Sequence, residues 1–137
     1  MDDVLVNKAA IIERCLLRIR EEYSGHESEL ATNFTMQDSI ILNLQRACEA
    51  SIDIGMRLVK IKQLGIPQSS RDVFVMLEAA GIIDSSLCKS LQAMVGFRNI
   101  AVHDYRKMSL EIVRHIIQEQ LKYLSTFAEI GLKVALP

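Results

Sequence analysis

At 137 residues, half of them apolar and 24% charged, the chain suits one ordinary globular core and is neither disordered nor fibrous. The 16 Lys and Arg nearly balance the 17 Asp and Glu, for a net charge of −1. That excludes attachment to nucleic acid by bulk charge and leaves only a local patch for such a role.

Val4 to Tyr23 places Leu5, Ile12, Leu16, Ile19 and Tyr23 at three-, four- and seven-residue steps, one face of an amphipathic helix. Ser24-Gly25 ends it, and a polar stretch runs to about Asn33. Thr35 followed by Asp38 predicts a helix N-terminus. The apolar positions from Ile40 to Ile61 then predict a second helix of some 28 residues, about 42 Å long. Gly65-Ile66-Pro67 stops it. Ser69 or Ser70 caps a third helix reaching Ala80, with Gly81 as its C-terminal stop. Asp84 caps a fourth, which carries Leu87, Leu91, Met94 and Val95 toward a core. A polar corner from Asp104 to Lys107 precedes a fifth helix, from about Ser109 to Ile130. The expected architecture is an all-α, up-down bundle of about five helices. Residues 1–137 form one helical domain in this reading, with Met56, Met76 and Met94 as core filling.

Cys15, Cys48 and Cys88 lie in apolar-periodic stretches without a C-x-x-C pair. Buried reduced thiols are expected there, not a zinc site or a disulfide framework. Met1-Asp2-Asp3 lacks the features of a secretory signal, and no run approaches the ~18 apolar residues of a membrane span. The expectation is a soluble cytoplasmic protein. The scattered glycines form no phosphate-cradling loop, His26-Glu27 lacks the second histidine of a helical zinc protease, and no G-x-S-x-G elbow is present.

Phe97 to Lys107 is different: it gathers an arginine, an amide, an imidazole, a carboxylate, a phenol and two further cations within eleven residues. In a chain of net charge −1, this stretch is the patch most able to attract phosphate. On a regular helix, however, Arg98 and His103 stand about 140° apart in azimuth and roughly 7.5 Å apart in rise. Three arrangements reconcile them: a helix break near Val102, a broad cleft, or two chains building one groove. A two-fold pair would bring two arginines and two histidines together. Metal-free RNA cleavage needs that set: a base for the 2′-OH, an acid for the leaving oxygen, and cations for the phosphorane. Arg106, Lys107 and Arg114 read as solvated face, and His26 and His115 have no partner in sequence.

Arg98-Asn99-x-x-x-His103 followed by Tyr105 resembles the R-x4-H-x-Y motif of HepT-like toxins in the HEPN superfamily, and the helix order resembles that family along nearly the whole chain. The resemblance implies a HEPN-like fold dimerising along the motif helix. It implies a metal-independent endoribonuclease toxin, needing no cofactor and forming a 2′,3′-cyclic phosphate. It also implies a minimal nucleotidyltransferase antitoxin that silences the toxin by transferring AMP to a tyrosine. Carried onto this chain, Arg98 binds the scissile phosphate, His103 is general base or acid, Asn99 supports, and Tyr105 accepts AMP. A polar residue on the second helix, assigned to Asp53, would face the site. The alternative is a non-catalytic helical partner of a nucleotidyltransferase, whose groove binds nucleotide or RNA without cleaving it.

Overall fold

The computed structural model describes residues 1–136, and every regular element among them is a helix or helical turn. Helix α1 (Asp3–Tyr23) starts where the Asp2 carboxylate accepts the Leu5 amide at 3.1 Å. The other oxygen of Asp2 accepts from Arg57 Nε at 2.8 Å, so the helix cap is also tied to the middle of the bundle. Helix α2 (Phe34–Ile61) has the 28 residues expected of it, but its cap is Asn33, which accepts the Met36 amide. The expected Thr35/Asp38 start is therefore corrected. Asn33 satisfies an orphan donor two residues earlier, which leaves Asp38 free in the second turn.

Helix α3 (Ser70–Ala79) is capped by Ser69, and Gly81 after it has φ +77°, a left-handed value that suits glycine. Asp84 caps α4 (Ser85–His103) by accepting the Leu87 amide at 2.8 Å. After a 3₁₀ turn, Tyr105–Lys107, Ser109 caps α5 (Leu110–His115). A π-helical turn, Ile116–Gln120, leads directly into α6 (Leu121–Ala135). These three segments form one continuous fifth rod, longer at its C-terminal end than the periodicity predicts. Gly131 lets α6 close on Ile54, and the Ala135 carbonyl accepts the Asp2 amide at 3.3 Å. Those ties hold the last turn in place.

Helix α2 runs through the centre, in contact with α1, α3, α4 and α6, while α1 also packs on α6 and α3 on α4. One continuous core results, with Phe74 of α3 and Phe127 of α6 meeting edge to face at 5.6 Å between ring centres. The three cysteines are free and buried, and burial raises each thiol, Cys88 to about 11 with help from Glu78. Met94 is buried and Met76 partly so. Met56 is 48% exposed, which corrects its expected core role: it lies on the outer face of α2.

Gly55 sits where α2 meets α3, and a Cβ there would stand 2.5 Å from Val73 Cγ1 and 3.4 Å from Phe74. Val73 is fully buried and cannot yield cheaply. Gly55→Ala should therefore lower the denaturant midpoint. Overpacking of about 1–3 kcal/mol outweighs the gain of ~1 kcal/mol in helix propensity.

Candidate active site

Helix α4 does not break near Val102. It stays regular through His103, and the Asp104 amide closes it on the Ile100 carbonyl at 2.9 Å. The first of the three arrangements is thereby removed. Arg98 and His103 project from diverging sides of one rod, while Asn99 and His103, four residues apart, share a face.

Arg98 turns toward α2. Its Nη2 and Nε donate to a single oxygen, Glu49 Oε2, at 3.0 and 3.3 Å. Its Nη1 donates to Asn99 Oδ1 at 3.4 Å. Because the guanidinium is held by one carboxylate oxygen and not by a fork on both, donors stay available to an incoming anion. The amide nitrogen of Asn99 likewise stays free to donate outward. The other Glu49 oxygen accepts from Gln45 at 3.5 Å. His103 is exposed and has no side-chain hydrogen bond among the described residues.

Asp53 is not brought to this site. It pairs with Lys8 of α1 at 3.0 Å and lines a different groove with Val4, Met56 and Pro67. The polar residue that α2 offers to Arg98 is Glu49, one turn earlier. Glu49 and Asp53 lie close in azimuth, but α4 passes over Glu49 and α1 over Asp53. The motif alone therefore could not choose between them.

Tyr105 opens the 3₁₀ corner, and its Oη donates to Asp38 Oδ1 at 2.5 Å across 67 residues of sequence. Burial first, and then the Asp38 hydrogen bond and charge, push this phenol up to about 12. The cations of the stretch are less free than a residue count suggests. Lys107 pairs with Asp104 at 3.2 Å, and Arg114 donates to the Glu27 carbonyl at 3.3 Å. Arg106 is exposed.

Sequence reasoning also missed Arg71 of α3. A Cβ on Gly96 would meet its Nη2 at 2.7 Å, so the glycine makes room for a guanidinium. Gly96 lies three and seven residues before Asn99 and His103, on their face of α4. Beside this face a groove of 340 Å³ runs between α4 and α5, lined by Phe97, Ile100, Met108, Ile112, His115 and Ile116 among others. Ile100 and Ile112, which line the groove, are exposed, as is Val102 of α4. Among the described residues no group of three or more His, Cys, Asp or Glu could hold a metal ion, and no helix is long and apolar enough to cross a membrane.

The raised phenol pKa fixes the sign of a pH effect. Any stability gained from keeping Tyr105 protonated is present below the ordinary phenol range near ~10. It is lost as pH rises through about 12. In an ultraviolet titration read against Tyr105→Phe, Asp38→Ala should move this transition down only part of the way, because the partial desolvation of the phenol persists. An unmoved transition would remove Asp38 from the environment of the phenol.

Comparison with known proteins bears on the same residues. Residues 12–130 match the family model for Ribonuclease HepT-like proteins. The chain is 48% identical over 130 residues to the mRNA nuclease HepT of Shewanella oneidensis, covering 95% of this chain and 97% of that protein. The solved structure of the tri-AMPylated Shewanella oneidensis HEPN toxin in complex with MNT antitoxin superposes with a TM-score of 0.90 at 47% identity, over 98% of this chain and 99% of that one. A toxin–antitoxin crystal structure with AMP-PNP gives 0.87 at 48% identity, over 95% and 97% of the two chains. The bundle, the R-x4-H-x-Y stretch at the end of α4 and these matches converge: the chain belongs to the HepT-like ribonuclease family.

Proposed function

We propose that this chain is a metal-independent endoribonuclease toxin that acts as a homodimer in the cytoplasm. A minimal nucleotidyltransferase antitoxin silences it by transferring AMP to Tyr105. The observation that carries this reading is the continuity of α4 through His103, with Arg98 held open on Glu49 and His103 exposed. The relatives named as a nuclease and as an AMPylated toxin bound to its antitoxin support it.

In this mechanism two chains pack through the groove between α4 and α5 and set their motif ends around one cleft. One His103 takes the 2′-OH proton, and the oxygen attacks the adjacent phosphorus. The partner copy's histidine protonates the departing 5′-oxygen, leaving a 2′,3′-cyclic phosphate. The two Arg98 guanidiniums stabilise the charge that develops on the phosphorane. Glu49 aims each arginine, and Asn99 supplies an amide donor beside His103. No step calls for a metal or a cofactor. AMP on Tyr105 would place a phosphodiester and a purine at the mouth of the cleft, opposing the RNA backbone in charge and space.

With unmodified protein in EDTA, RNA should be cleaved by the wild type. His103→Ala should slow cleavage about 10²–10⁴-fold, the usual contribution of a general acid or base, with RNA binding retained. Arg98→Ala should lose cleavage and weaken binding together. An unmodified wild-type dimer that leaves RNA intact would transfer the reading to a nucleotide-binding partner that does not cleave.

A further inference from the structure

Tyr105 is 46% exposed, so its side chain is open to a modifying enzyme while its oxygen is held from one side. Two turn hydrogen bonds close the backbone beneath it. The Lys107 amide donates to the Asp104 carbonyl at 2.9 Å and the Met108 amide to the Tyr105 carbonyl at 3.0 Å. The direction of the phenol is then set by Asp38, which among the described residues makes no polar side-chain contact besides that hydroxyl. Asp38 is not used as a helix cap, since Asn33 performs that task, and it makes no ion pair among the described residues. A carboxylate on a regular helix with no other partner, reaching a surface phenol at 2.5 Å, is placed for proton transfer.

We propose that Asp38 orients Tyr105 and accepts its proton when the tyrosine is modified. This inference rests on the reading that Tyr105 receives AMP. The phenol oxygen attacks the α-phosphorus of ATP, forming the Oη–P bond. The bond from that phosphorus to the bridging oxygen breaks, and pyrophosphate leaves with the electron pair. The phenol proton passes to Asp38 Oδ1 and from there to water. A proton acceptor is needed because the phenol, pushed up to about 12, is almost wholly protonated at neutral pH. After transfer the oxygen no longer donates, so the contact belongs to the unmodified side chain alone.

The charged and titratable side chains next to Tyr105 in the chain are His103 at the end of α4 and Asp104, Arg106 and Lys107 in the corner itself, and Asp38 reaches the phenol from α2. Lys107 is paired with Asp104 and Arg114 with a carbonyl, and among the described residues only Asp38 hydrogen-bonds the phenol.

The test follows AMP incorporation by intact mass, using the full chain with an MNT-type antitoxin, ATP and Mg²⁺, over a series of pH values from neutral to alkaline. Asp38→Asn keeps an acceptor oxygen but cannot take the proton. It should slow incorporation about 10²-fold at unchanged KM for ATP, with the deficit shrinking as pH rises and phenolate forms. Asp38→Glu should recover part of the rate, and both variants should melt with the wild type. An Asp38→Asn protein modified at the wild-type rate with the wild-type pH profile would overturn the role of Asp38. A wild-type chain that takes up no AMP would instead overturn the modification reading on which the proposal stands.

Discussion

The rest of the site depends on a helix that does not end early. Because α4 stays regular through His103, Arg98 and His103 leave the helix on diverging sides. About 140° of azimuth separates them, and Glu49 draws Arg98 further toward α2. A hydrophobic groove borders the same helix, with Ile100 and Ile112 exposed on it. Divergent motif side chains and exposed apolar residues along one rod would have a common solution in a second copy of the chain. That copy would cover the surface and supply the missing half of the site.

Helix α2 is the rail on which the polar machinery is aligned. Asp38, Gln45 and Glu49 are separated by seven and four residues, so they share one face. Asp38 and Glu49 stand roughly 16 Å apart along the axis. One end of this face holds the Tyr105 phenol and the other the Arg98 guanidinium, with Gln45 bracing Glu49. The two functions proposed for the motif, cleavage and its silencing, thus draw on one face of a single central helix. The same helix is fixed in the core by Ile40, Leu44, Ile54 and Leu58.

Much of this was legible in the sequence, for identifiable reasons. Apolar periodicity and short capping signals sit within a few residues of what they specify, so Ser69, Gly81 and Asp84 marked their boundaries. The motif residues are likewise local to one another. What could not be read depended on partners distant in sequence. Asn33 and Thr35 are both acceptable caps, and only the packing of α2 decides between them. Asp53 and Glu49 differ by one turn, and the choice requires knowing which neighbour crosses each. The Tyr105–Asp38 and Arg98–Glu49 contacts span 67 and 49 residues. The usable sequence signal was the shared face of Asp38 and Glu49, visible only once the start of α2 was known. The π-helical turn at Ile116–Gln120 left no mark in the periodicity.

The proposed mechanism requires two chains to build one cleft. Ile112 tests it most directly, being half exposed on the groove and outside the R-x4-H-x-Y motif. Ile112→Glu would place an unpaired charge in the apolar contact, and sedimentation and RNA cleavage can be measured on the same preparation. A shared cleft predicts a folded monomer whose cleavage falls about as far as removal of a general acid or base would take it, on the order of 10² or more. A folded monomer that cleaves RNA at the wild-type rate would contradict it.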